Sequence, residues 1–402
     1  MIKRIPISCL TPGMYVSGFH WDQDVESSYQ KEGRIPDLKT IELIKKRGVK
    51  ELFIDTERGI DVDAGISQEE IEHEGEETLA RYAEESPVLE KKVSTTEELE
   101  KARKVHSRAK GMVETAMQRA LHGEDVDIDG FKEVANDFID SVSRNQNALA
   151  CLSRIREKDA YLLDHSINVG VLMSILGKAM KLDRQALFEY VLGAILHDIG
   201  KILIPDEVLH KPGRLTEEEF GLMKKHSTFS RDILVKSGDL SEATINVAYQ
   251  HHERLDGTGY PQGLNGDAIS LEAKMAAVVD VYAAITADRC YHKGIPPTLA
   301  LKRMLEWTGS HLDKEILHTF ICAMGIYPVG SLVELTSGKL AVVSEINSKD
   351  QKQPLVKVIY NSKFKRFINI ETLDLSRKGL GEQIVRPVDP NNYGINLNDF
   401  LA

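Results

Sequence analysis

The chain has 402 residues, of which 42% are hydrophobic, with 29 Gly, 13 Pro and a formal net charge of −11. That length exceeds what one ordinary core organises and implies two or three domains. The composition is globular, neither disordered nor fibrous. The negative balance argues against a general affinity for nucleic-acid backbone, but it leaves room for a small anionic ligand at a local cationic site.

The first ten residues lack an apolar leader, so no signal peptide is expected. No uncharged apolar run reaches the ~18 to 20 residues of a membrane-spanning helix. Four scattered cysteines (Cys9, Cys151, Cys290, Cys322), with no Cys-x-x-Cys pair, fit reduced thiols in a bacterial-type cytoplasm.

In chain order, residues 1–60 read as a small α/β domain. Strands are expected at Ile2–Leu10, Tyr15–Phe19 and Glu51–Asp55, and a helix at Lys39–Lys46 closed by Gly48. His20 is isolated and carries no constellation. Residues 61–93 are acidic (Glu69, Glu70, Glu72, Glu74, Glu76, Glu77) and read as a linker or a mobile helix. Ser94-Thr95-Thr96-Glu97 is a capping-box signature for a long helix ending at His122-Gly123. Helices over Phe131–Ser143 and Asn147–Arg156 complete a connecting segment, 94–150. From 151 to 325 nearly every stretch has 3.6-residue periodicity, so this is an all-helical domain. Residues 326–402 turn β-rich, with strands at Ser331–Thr336, Leu340–Ile346, Pro354–Tyr360 and Phe367–Ile370. The fold class is therefore mainly α, with a small α/β domain before the helices and a small β appendage after them.

The chemistry lies in the helical domain. An apolar run delivers His197 and Asp198 side by side, followed by Gly200 and Lys201. Neighbours on a helix point about 100° apart, so the pair cannot chelate one ion, but the carboxylate could bridge two. Gly200 removes a side chain where the helix must end or a substrate must approach. Alone, the dipeptide reads as a buried helix end with a His–Asp hydrogen bond. Other donors follow in series: His165, His226, the adjacent His251 and His252, and Asp280 inside an apolar run. A buried unpaired carboxylate costs several kcal/mol, which a metal ion or strong cation removes.

Five His and two Asp suffice for most of the shells of two ions, and imidazole–carboxylate mixtures suit Fe, Mn or Zn. Two ions about 3.5 to 4 Å apart suit phosphate-ester hydrolysis, a bridging water being deprotonated to serve as nucleophile. Lys201 is placed to stabilise the developing charge. The Gly-rich loop after His252 carries Arg254 and Tyr260, which could pair with phosphate and stack on a base. Arg289 and Lys293 could hold a far phosphate.

The run His197-Asp198-Ile199-Gly200-Lys201, followed by His251-His252-Glu253-Arg254-Leu255-Asp256-Gly257-Thr258-Gly259-Tyr260-Pro261, resembles the HD-GYP subgroup of the HD phosphohydrolases. Asp159-Ala160-Tyr161 and Arg289-Cys290-Tyr291 also fit. The resemblance covers roughly residues 150–325. It implies a cyclic di-GMP phosphodiesterase giving linear pGpG and often GMP. By that resemblance His165, His197, Asp198, His226, His251, His252 and Asp280 are the metal ligands, with Asp198 bridging. Lys201 assists catalysis and Arg289 binds phosphate. The loop Gly259-Tyr260-Pro261 is implied to contact substrate and diguanylate cyclase (GGDEF) partners. The first ~140 residues resemble the uncharacterised N-terminal domain of some relatives. Three positions depart from the pattern. Tyr161 stands where some relatives carry the Glu of a third metal, so two metals are expected. His292 replaces a common basic residue, and Ala283 an acidic one.

Two other readings remain open from sequence. One is a cyclic di-GMP receptor or docking module with little turnover. The other is the same chemistry on another nucleotide, such as a different cyclic dinucleotide. The helices between Thr95 and Arg156 could pair with a second chain.

Overall fold

The structure, a computed structural model, describes residues 1–19, 32–46, 49–85, 91–154, 161–287, 294–347 and 349–401. Expectations for His20, Gly48, Asp159-Ala160, Arg289, Cys290, Tyr291, His292 and Lys293 lie outside these residues. The chain divides into two compact units, Met1–Thr78 with His210–Leu222 and Leu79–Leu209 with Met223–Ala402.

The first unit is an antiparallel sheet of β1 (Ile2–Pro6), β2 (Tyr15–Phe19), β3 (Gly33–Arg34), β4 (Glu51–Asp55) and β5 (Ile66–Ser67), with helix α1 (Leu38–Lys46). The strand order is β3-β2-β4-β1-β5. Alternation in β4 turns Leu52 and Ile54 inward, where they join Ile5 in the core. The expected first strand stops at Pro6, which a short 3-10 turn follows. β3 and β5 are two-residue strands, too short to show a period. The acidic stretch forms a helix, α2 (Gln68–Glu85).

The second unit opens with the last turns of α2. Next comes α3 (Thr95–Leu121), capped as its sequence demands: the Glu97 amide donates to Ser94 Oγ at 3.2 Å. α4 (Ile128–Leu152) is continuous except at Asn145, where the backbone turns extended (φ −162°, ψ 104°). This break is why its sequence reads as two helices. The Asn145 side chain compensates, donating to Val93 O and Thr95 Oγ1 at 3.0 Å and accepting from the Asn147 amide.

α5 (Tyr161–Ala179) is buried on every side from Asp164 to Gly177, because its sequence is apolar all round. α6 (Arg184–Leu196), α7 (Asp206–Leu209), α9 (Lys225–Ser237), α10 (Glu242–Gln250), α11 (Leu271–Ile285), α12 (Pro297–Glu306) and α13 (Lys314–Met324) follow; α8 (Glu217–Met223), between α7 and α9 in sequence, belongs to the first unit up to Leu222. The chain then forms an antiparallel sheet of β6 (Leu332–Leu335), β7 (Lys339–Glu345), β8 (Leu355–Asn361), β9 (Arg366–Asp374) and β10 (Ile384–Pro387), ordered β10-β6-β7-β8-β9, and ends in α14 (Asn398–Leu401). β10 was not expected, since its four residues carry no readable alternation. One hydrophobic core runs from Leu79 and Tyr82 through α3 to α13 and reaches Leu340 and Val342. Among the described residues no helix is long and apolar enough to cross a membrane.

A buried carboxylate fastens α3 to α4. Glu98 is fully buried and accepts from Ser141 Oγ (2.8 Å), Arg144 Nε (2.7 Å) and Arg144 Nη2 (2.8 Å). Burial favours its neutral form, but the Arg144 and Ser141 hydrogen bonds prevail and hold it below its ordinary 4.5. Glu98→Ala should cost about 3 kcal/mol in urea unfolding, because it strands the guanidinium. A depressed folded value means this contribution is present above pH 4.5 and is lost as pH falls below it. The difference between wild type and variant should therefore shrink in acid.

Candidate metal centre

Five helices each bring a donor to one place. α5 carries His165, and the end of α6 carries His197 and Asp198. α9 carries His226, the end of α10 carries His251 and His252, and the middle of α11 carries Asp280. All seven side chains expected as ligands are brought together. His Nε2 or Nδ1 and carboxylate oxygens fall into three groups, each within 4.8 Å: His165, His197 and Asp280; His197, Asp198 and His251; His226, His251 and His252.

Asp198 lies between the first and last groups. Its Oδ2 is 3.4 Å from His165 Nε2 and 3.2 Å from His197 Nε2, while Oδ1 is 3.4 Å from His226 Nε2 and 3.8 Å from His251 Nε2. Asp280 Oδ1 lies 2.9 Å from His165 Nε2 and 3.6 Å from His197 Nε2. Lys201 is buried, not a mobile cation at the mouth: its Nζ is 2.9 Å from Asp198 Oδ2.

Three rings are oriented by the main chain. Nδ1 of His197, His226 and His251 each lies 2.7–2.9 Å from the carbonyl three residues earlier (Ala194, Met223, Ala248). Donation from Nδ1–H turns Nε2 toward the cluster, and in neutral His226 and His251 that atom carries the lone pair a metal ligand needs. Gly200 has a different duty from either expectation. A Cβ there would meet His226 O at 2.3 Å and Ser230 N at 2.4 Å, and the Gly200 amide donates to Ser230 Oγ at 2.9 Å. The missing side chain lets α9 approach, and α9 carries His226.

Burial lowers four of the five histidines, pushing His226 to about 4 and His251 to about 3, with His165 and His252 also down. They are neutral near pH 7, as ligands must be. His197 goes the other way. Burial opposes its charge, yet Asp198 and Asp280 raise it to about 10. Burial would raise Asp198, but His197 and Lys201 hold it well below the usual carboxylate range.

A metal fits this donor set. His197 Nε2 and both Asp198 oxygens are buried without a well-formed hydrogen bond among the described residues, although several Nε2 atoms crowd around them. A cation there, displacing the His197 Nε2 proton, satisfies all of them at once.

The loop after His252 packs its tyrosine against the donor cluster. Tyr260 is only 9% exposed, and its ring stacks on His252 at 4.6 Å between centroids. Lys224 Nζ lies 5.7 Å from the same ring. One face of the Tyr260 ring is thus taken by the His252 imidazole. Gly259 belongs to the same close packing, Pro261 follows the ring, and Arg254 is half-buried on the loop. Arg289 and Lys293 lie outside the described residues. Sequence reading passed over Glu253, which is 2% exposed and accepts from the Gln262 and Leu264 amides at 2.7 and 2.9 Å. The available signal was that a tight Gly- and Pro-rich loop must place its buried amides somewhere.

The HD domain family matches residues 142–316, and a domain of unknown function, DUF3391, matches residues 2–131. The cyclic di-GMP phosphodiesterase PA4108 of Pseudomonas aeruginosa is 37% identical over 405 residues, covering 100% of this chain and 95% of that protein. The cyclic di-GMP phosphodiesterase PdeB of Borreliella burgdorferi is 31% identical over 50% of this chain and 52% of its own. The 3′3′-cGAMP-specific phosphodiesterase 1 of Vibrio cholerae is 39% identical over 43% of this chain and 40% of its own.

Two outcomes are expected. Gly200→Ala should push α9 outward and lower metal uptake, measured as metal per chain after reconstitution, while far-ultraviolet dichroism stays helical. In metal-free protein, the raised His197 contributes stability that is full below pH 6.5 and is lost as pH rises toward about 10. The stability gap between wild type and His197→Gln should therefore narrow over that range in urea titrations.

Proposed function

The chain belongs to the HD-GYP family of HD-domain phosphohydrolases, and we infer from that membership and the donor cluster that it is a metal-dependent phosphodiesterase hydrolysing cyclic di-GMP. The observation that carries this reading is Asp198, whose two oxygens face different histidine groups.

In this reading residues 151–325 are the catalytic domain and hold two ions. His165, His197, Asp280 and Asp198 would hold one, and His226, His251, His252 and Asp198 would hold the other. The donor chemistry suits Fe or Mn. When bound, two such ions would supply an activated water and neutralise phosphoryl charge. The chain supplies the rest. Lys201 Nζ, fixed beside Asp198, stabilises charge building on the phosphoryl oxygens. The Nδ1–H bonds of His197, His226 and His251 keep their lone pairs aimed during the reaction. Arg254, Arg289 and Lys293 complete phosphate binding. No carboxylate for a third ion stands at position 161; the Tyr161 ring stacks near His165 there, with centroids 5.8 Å apart, which supports two ions.

The product is linear pGpG, cut further to GMP. The protein works in the cytoplasm, docks GGDEF-type cyclases through the loop around Gly259-Tyr260-Pro261, and pairs through its connecting helices. A second reading, hydrolysis of another cyclic dinucleotide, is favoured by the cGAMP-specific relative.

Anaerobic reconstitution with Fe(II) or Mn(II) and a panel of cyclic dinucleotides tests both. Wild type should hold about two ions and turn over cyclic di-GMP fastest, and Asp198→Ala should lose both ions and at least ~10³-fold in rate, about 4 kcal/mol of transition-state stabilisation. Preferred cleavage of cGAMP would move the assignment to the second reading. Tight binding without product under either metal would make the protein a receptor.

A further inference from the structure

Three of the five imidazoles are held by main-chain carbonyls, and two are not. Among the described residues, His165 Nδ1 has no hydrogen-bond partner, and the His252 ring makes no hydrogen bond. Each of these two rings instead has a tyrosine stacked against it. Tyr161 lies 5.8 Å from His165 at 20° between planes, and Tyr260 lies 4.6 Å from His252 at 30°.

The Tyr260 contact is built. Its amide donates to His252 O at 3.2 Å, so the chain doubles back on the residue whose ring it covers. Gly259 makes that return possible: a Cβ there would meet His252 O, Glu253 Cα and Arg254 N, each at 2.5 Å. Glu253, next to His252, closes the loop from the other side by accepting the Gln262 and Leu264 amides. The Tyr260 ring also meets His226 edge-on at 6.3 Å and 84°. It therefore meets two of the three imidazoles in the His226, His251 and His252 group.

We propose that Tyr260 is a positioning residue for His252: with Glu253 closing the loop, its ring replaces the missing carbonyl anchor and sets the imidazole plane for one of the two ions. Resting on the two-ion reading above, this makes the Gly-Tyr-Pro loop part of the metal centre's scaffold before it is anything to a substrate. Stacking fixes orientation through contact area, so for this contact the shape of the ring matters more than the phenol oxygen.

The test uses full-length protein, stripped of metal and reconstituted with Mn(II), with metal counted by mass spectrometry and electron paramagnetic resonance recorded. Wild type should hold about two ions with the signature of a coupled pair. Tyr260→Leu should retain one ion, show an isolated Mn(II) signal, and melt like wild type when metal-free. Tyr260→Phe, which keeps the ring, should restore the pair. Should Tyr260→Leu fail to fold, Glu253→Gln, which sets an amide NH2 against a backbone N–H, should give the same loss of one ion. Wild-type metal content in Tyr260→Leu, or loss of both ions together, overturns the proposal. Fewer than two ions in wild type overturns the underlying two-ion reading, and this proposal with it.

Discussion

One buried carboxylate organises this molecule. Asp198 sits at 1% exposure with imidazole nitrogens from α5, α6, α9 and α10 within 3.8 Å and an ammonium at 2.9 Å. Desolvating that much polarity is expensive, and the apolar helices around it must hold it in place. They do so through ordinary packing: α5 is buried on all sides, and α6 approaches α10 so closely that a Cβ on Gly193 would strike Thr244 O at 2.6 Å. The donors belong to helix ends and one helix middle, so their relative placement is inherited from helix packing, which is stiff, rather than from loops.

Much of this was legible before any coordinates. Periodicity marked the helices, the capping box marked the start of α3, and a carboxylate in the apolar run of α11 singled out Asp280. What stayed hidden depends on contacts between distant segments. That Gly200 yields space to α9, rather than to a substrate, follows only from knowing which backbone lies against it. The same holds for Lys201, which sequence treats as a free cation and the fold ties to Asp198. Glu253 and Lys224 look like surface charges in a string of letters. Their burial, or their place beside Tyr260, is a tertiary fact. Two-residue strands such as β3 and β5 are set by their neighbours and leave no pattern of their own.

The segmentation of the chain also looks different in three dimensions. The HD domain match begins at residue 142, inside α4, and the other match ends at 131, inside the same helix. Yet Phe131, Val134 and Phe138 of α4 belong to the same hydrophobic core as Ile167 and Val191. The helices α3 and α4 are thus structural partners of the helices that follow: Glu98 and Asn145 fasten the start of α3 to α4, and Lys178 of α5 donates to Val142 O of α4 at 2.8 Å.

The anchoring of His197, His226 and His251 to carbonyls three residues back has a kinetic consequence. Each ring takes its direction from the turn that precedes it, so a ligand cannot swing away while that turn is wound. Fraying of a single helical turn and departure of a donor atom become the same event, and the residence time of an ion is set by how often those turns open. The lifetime of the centre is thereby written into the local stability of three helix segments, where substitutions far from any donor atom can lengthen or shorten it.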